Sequence, residues 1–304
     1  MAFVVRQRRH IEDELRRIAR KELRRARESL TKGEGVPSSA AVHDARKSVK
    51  KVRAVLAVLE HNGTRVRSKD RRRLQAAAHA LSALRDREAL VGTLDQLMAH
   101  FPKRLPEHTY RVIRRALVRD KSRAEDRARH ASIAMLVAAR LKKIGQSMKR
   151  WRFQSIDAKD FTAAIRWAYR DSRAGYKRAV AARESDETHR WRKRVKQLWY
   201  QLRLAQPMLP RNGTLVADLN RLQTSLGDEH NLLVLRTAVV GARALAAMDR
   251  EIAELSAMTV ARQRQLQRKA FALGRRLHRR KPKAFVRALR RQAKRPPRAA
   301  AKAA

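Results

Sequence analysis

The sequence predicts an all-α protein: two antiparallel helical bundles (four-helix-bundle repeats) related by a pseudo-two-fold axis around a basic central groove. Three observations predict it. Apolar positions recur with helical period and no convincing strand alternation, breakers cut the chain into long pieces, and one basic helical face occurs twice, 146 residues apart. The breakers fall at 33–39, 61–63, 101–106, 151–157, 184–186, 207–213 and 281–282. The segments between them read as helices in the same order twice, in repeat 1 (about 6–150) and repeat 2 (about 157–280) of one domain spanning 1–280.

The helix opening repeat 1 carries Arg20 and Arg24. The next bears the basic face. His43, Arg46, Lys47 and Lys50 lie three, four and seven positions apart and share one side, continued by Arg53, while Val42, Ala45, Val49, Val52 and Leu56 form the other. After an Asn-Gly loop, a third helix contains Leu81-Ser82-Ala83-Leu84-Arg85-Asp86. The longest apolar run, Ala131 to Ala139, is half a membrane span and flanked by charge, so it reads as buried helix.

Repeat 2 opens on a helix whose apolar set is Phe161, Ile165, Ala168 and Tyr176, beside Arg166, Arg170, Arg173 and Lys177. The following helix repeats the basic face with His189, Arg192, Lys193 and Lys196, joined by Tyr200, against Trp191, Val195, Leu198 and Leu202. Leu226-Gly227-Asp228-Glu229-His230-Asn231 follows, placing His230 41 residues after His189 as Arg85 stands 42 after His43. The basic tail, 281–304, reads as disordered, with room for a short helix around 284–292.

The composition points to a polyanion. Seventy-five Lys and Arg against 28 Asp and Glu give a formal charge of +47, far beyond what solubility requires. A drift toward Ala and Arg raises net charge but does not set His, Arg and Lys in register twice. A hydrophobic content of 43% is ample for a core. Without cysteine there is no disulfide framework or Cys-based metal site. No run suits a membrane span, Met1 to Arg6 lacks the apolar stretch of a secretory signal, and the expected location is the cytoplasm.

The paired faces supply what a phosphate polymer needs: forked guanidiniums, compact ammonium charges and histidines responsive to a nearby anion. The candidate site is therefore His43, Arg46, Lys47, Lys50, Arg53, Arg85, His189, Arg192, Lys193, Lys196, Tyr200 and His230, with Arg20, Arg24, Arg170, Arg173 and Lys177 around it. Neither His43 nor His189 has another histidine three or four residues away, and no HExxH spacing, phosphate-cradling Gly-rich loop or nucleophile elbow is present. No catalytic residue, metal or cofactor is expected. Aromatics make up 5% of the chain, too few on the basic faces for base stacking, which favours phosphate alone over nucleic acid. A general nucleic-acid or nucleoid-binding protein, driven by net charge and the tail, is the alternative, and weaker nucleic-acid binding beside polyphosphate is compatible with either reading.

The motif His-x-x-Arg-Lys-x-Val-Lys in both repeats, extended in the second to His189-Arg190-Trp191-Arg192-Lys193-Arg194-Val195-Lys196-Gln197-Leu198-Trp199-Tyr200, resembles the CHAD domain, the conserved-histidine α-helical domain. Arg85-Asp86 and Leu226-Gly227-Asp228 match its later motifs, whereas Asn231 stands opposite Asp86 and Trp199 opposite Arg53. The resemblance covers nearly the whole chain except the tail. It implies a pseudo-symmetric pair of four-helix bundles that binds inorganic polyphosphate along a basic central surface, without catalysis, and an association with polyphosphate granules. Some members are fused to a triphosphate-tunnel (CYTH) domain; none is visible in this sequence, so a stand-alone member is expected.

Overall fold

Helix ends form where the sequence offers local alternatives to the helical ladder. Ser38 caps α2 (Ser39–His61) by accepting from Ala41 N, and Asp157 with Asp160 closes a reciprocal capping box at the start of α6 (Ala158–Ala182). Gly63, at φ 84°, takes the left-handed turn after α2 that a side chain would strain. The computed structural model describes residues 3–7, 9–32, 37–130 and 132–294, with backbone only at 83–86, 88, 128–130, 243 and 294.

The regular elements among the described residues are helices, the α-helices being α1 (Ile11–Thr31), α2 (Ser39–His61), α3 (Ser68–His100), α4 (Glu107–His130), α5 (Ile133–Ser147), α6 (Ala158–Ala182), α7 (Ser185–Leu204), α8 (Gly213–Val240), α9 (Asp249–Leu277) and α10 (Pro282–Lys294). Among the described residues the only β pairing is an isolated bridge, Arg65 to Arg152. Two helix breaks were not foreseen. The 107–150 segment divides before α5, where Ser132 is left-handed at φ 46°, and the 213–280 segment divides after Gly241. The tail, in which the sequence leaves room for a short helix around 284–292, is helical over Pro282–Lys294. Its first part forms α10, because Phe285, Val286, Ala288 and Leu289 make an apolar stripe buried on the fold, and α10 packs against α6. Residues 295–304 lie outside the described residues.

The order of contacts repeats. α1 packs on α2 and α2 on α3; likewise α6 packs on α7 and α7 on α8. Like elements of the halves also meet, α2 against α7 and α3 against α8. The cores do not stop at the repeat boundary. The larger joins α1, α2, α5, α6 and α7 with the amino-terminal part of α3. The smaller is a four-helix arrangement of the carboxyl-terminal part of α3, α4, the end of α8 and the start of α9, built on Leu94, Leu97, Ile113 and Leu235. Length explains this: α3 has 33 residues, about 50 Å, and runs through both cores.

Buried carboxylates bolt the junctions. Glu12 accepts from Ile156 N (2.7 Å), tying the start of α1 to the approach to α6. Glu14 accepts from Arg6 N and Gln7 N (2.5 and 3.1 Å), turning the amino-terminal arm so that Val5 N reaches Leu204 O at 2.8 Å. Glu22 pairs with Lys51 of α2 at 2.8 Å, both largely buried.

Trp191, fully buried, anchors the second half. Tyr176, Phe271 and His278 surround it with ring centroids 5.3 to 6.1 Å away, and Gly274 of α9 lies against its ring. His278, just past α9, is 3% exposed; burial, and then Arg173, push its imidazole down to about 3.

Two outcomes follow from this knot. Gly274→Ala puts a methyl carbon 2.6 Å from Trp191 Cη2 and 2.8 Å from Tyr176 Cδ2, and the overpacking outweighs the helix-propensity gain. A loss of about 1–3 kcal/mol in urea denaturation is expected, and unchanged stability would contradict the tight contact. His278 is neutral in the fold, whereas the unfolded chain takes up its proton near pH 6.5. Its stabilisation is fully present above that pH and is lost between about 6.5 and 3, by about 1 kcal/mol per pH unit. The stability gap between the parent and His278→Gln should therefore narrow from pH 7 to pH 4; parallel profiles would contradict the assignment.

Candidate functional site

The apolar sides expected for the two basic helices are inside the larger core. Val42, Ala45, Val49, Val52 and Leu56 of α2 and Trp191, Val195, Leu198 and Leu202 of α7 are all buried. That burial fixes the roll of each helix and so fixes where its cations stand. His43, Arg46 and Lys50 on α2 are half-buried, as are His189, Arg192 and Lys196 on α7. Lys47, Arg53 and Lys193 are exposed beside them.

On α2, Arg46 Nη2 donates to Ser82 Oγ of α3 at 3.3 Å. Lys47 reaches Asp44 at 3.4 Å in a solvated pair of little energetic weight. Arg85 lies on α3 one turn beyond Ser82, and its side chain is outside the described residues. On α7, Arg192 Nε donates to Gln223 O of α8 at 3.3 Å. Its guanidinium lies across Gly227, where a Cβ would come within 2.8 Å of Nη2. The two arginines thus make corresponding crossings, one over Ser82 and the other over Gly227.

His189 and His230 come together across α7 and α8, with ring centroids 3.8 Å apart and a 34° tilt. Burial is the main force pushing His189 down to about 3, aided by the charges of His230, Lys193 and Arg192. At neutral pH its imidazole is an uncharged group amid cations.

Acids stand behind this face. Burial raises the Asp228 carboxyl above its ordinary value, opposed by the charges of Arg192 and Arg262. Glu229 is fully buried, and desolvation raises its pKa as well. Its Oε1 accepts from Gln267 Nε2 (3.0 Å), Ser185 Oγ (3.2 Å) and Gln263 Nε2 (3.4 Å). Glu229 therefore joins α8 to the start of α7 and to α9. Sequence reasoning missed Gln263, Gln267 and Arg262; the one available signal was an i, i+4 glutamine pair in an otherwise cationic helix.

Several expected members stand elsewhere. Tyr200 is corrected: it is 5% exposed, its ring edge-on to Phe3 at 5.9 Å, because the amino-terminal arm folds over that turn of α7. Burial pushes its phenol up to about 12. Arg173 is also drawn away, its Nε donating to His278 O at 2.9 Å at the end of α9. Arg170 is exposed on α6 near His61, whose pKa it helps to lower after burial and Arg166. Arg20, Arg24 and Lys177 are exposed, and among the described residues no hydrogen bond or ion pair ties them to the basic faces.

Among the described residues no group of three or more His, Asp or Glu could hold a metal ion. No helix there is long and apolar enough to cross a membrane. The arrangement offers closely spaced cations beside the neutral imidazole of His189, suited to a row of anionic oxygens.

Comparison with known protein families gives one result. The family model described as CHAD domain matches residues 8–240, from just before α1 to the end of α8. No curated protein matches the chain.

Proposed function

The chain belongs to the CHAD domain family, a family associated with polyphosphate binding, and from that premise we propose that it binds inorganic polyphosphate without catalysis. One observation carries the reading. The same His/Arg/Lys face occurs on α2 and α7, two helices that touch each other. The binding set is His43, Arg46, Lys50, His189, Arg192, Lys196 and His230, with exposed Lys47, Arg53 and Lys193 alongside and Arg85 on the adjoining turn of α3. Phosphate oxygens along one polymer accept charge-assisted bonds from both helices and relieve their mutual repulsion. The burial of Trp191 and Tyr200 supports a ligand with nothing to stack, since neither ring is open to a base. In the cell the protein belongs at polyphosphate granules in the cytoplasm, a placement resting on the family's association alone.

Replacing Arg46, Lys50, Arg192 and Lys196 together by Gln should weaken binding of long-chain polyphosphate by more than roughly a hundredfold while circular dichroism stays helical. A folded variant that binds like the parent would remove these residues from the site. With about eight phosphate contacts, the log–log salt slope should be roughly −6. Competition at about 150 mM salt separates the ligand classes: polyphosphate should displace a labelled polyphosphate probe far better than duplex DNA or RNA, and equal displacement would favour a general nucleic-acid binder.

Gly227→Ala tests the Arg192 crossing. The new methyl meets the mobile end of a side chain, so stability should hold or rise by up to about 1 kcal/mol from helix propensity. Displacement of the guanidinium should nevertheless lower polyphosphate affinity. Unchanged affinity by calorimetry would mean that Arg192 does not bind from this position.

A further inference from the structure

A second concentration of cations lies apart from the paired faces, where the start of α3 meets the end of α5. A concave pocket of about 420 Å³ opens there, within the size range of small-molecule sites and too small for a nucleic-acid duplex. Arg67, Lys69, Lys143 and Arg150 form its rim, all four exposed. No hydrogen bond or ion pair engages their side chains among the described residues. Thirteen residues separate Lys69 from Ser82 on α3, about 20 Å along the helix, so the pocket and the Arg46 crossing are different places.

The floor is built and fixed. Asp70, 2% exposed, accepts from Ser147 Oγ, from Trp151 Nε1 (3.2 Å) and from Arg73 Nη1 (2.9 Å). These bonds lock α3 to the end of α5 and the turn after it, holding the rim in position. Arg73 offsets the Asp70 charge, leaving the rim cations uncompensated. The amino end of α3 has no side-chain cap and faces the same region, adding its partial positive charge. The lining contains no aromatic ring or large apolar side chain. It offers nothing to a nucleobase or a lipid chain.

We infer that this pocket is a separate site for a compact, multiply charged phosphate compound, of the class of a short inorganic oligophosphate. The inference does not rest on polyphosphate binding by α2 and α7.

Calorimetry with tripolyphosphate at about 150 mM salt tests it. Three full-length proteins are needed: the parent, Lys69→Glu with Lys143→Glu, and the four-residue Gln variant of α2 and α7. Both pocket lysines are exposed, and the Asp70 network is left intact, so thermal melts should match the parent. The pocket variant should lose affinity for tripolyphosphate by roughly tenfold or more, while the α2/α7 variant retains it. Equal binding by the pocket variant and the parent would overturn the site. Loss of binding in the α2/α7 variant alone would move the short-chain ligand to the paired faces. ATP binding more than roughly tenfold tighter than tripolyphosphate would overturn the ligand class.

Discussion

The scarcity of carboxylates, and where the fold puts them, governs the rest of this structure. Of the 28 acidic residues, Glu12, Glu14, Glu22, Asp70, Asp218 and Glu229 are buried. They accept from backbone N–H groups, from Ser, Trp and Gln side chains, or from one cation each or two. These six acids serve as internal bolts, while the excess of 75 Lys and Arg over 28 Asp and Glu leaves most cations without an acidic partner wherever the acids stand.

The same economy shapes the paired faces. Asp228 and Glu229 of α8 have pKa values raised by burial and opposed by the charge of Arg192, and the tilted His189–His230 pair lies across α7 and α8. Burial also keeps His189 neutral, which limits repulsion among the cations while leaving an imidazole beside them. On α2 the corresponding backing involves Ser82 and a turn of α3. The halves therefore resemble each other in where the arginines cross and differ in what lies beneath them.

Much of the fold was legible in the sequence because periodicity and breakers are local signals. The apolar stripes of α2 and α7 and the Asn-Gly turn after α2 could be read directly. The break at Ser132 could not, since no Gly or Pro marks it, and a lone Gly241 is tolerated inside many helices. α10 was legible as room for a short helix around 284–292, but the burial of its four apolar residues shows only once α6 offers a surface. Helical spacing placed His189, Arg192 and Lys193 on one side of α7, and His230 of the later motif lies beside His189 in the structure. The same spacing misplaced Tyr200, because spacing alone cannot reveal that a distant amino-terminal arm covers one turn of a helix. Gly227 lay within a motif already singled out, but its role as a seat for Arg192 exists only in three dimensions.

The central claim is that α2 and α7 grip one phosphate polymer together. Hydrogen–deuterium exchange of the whole chain, with and without long-chain polyphosphate at about 150 mM salt, tests it most directly. The account predicts added protection at 43–53 and at 189–200, rising in parallel with the same saturation point. Protection confined to one of these helices, or found only beyond residue 281, would contradict it.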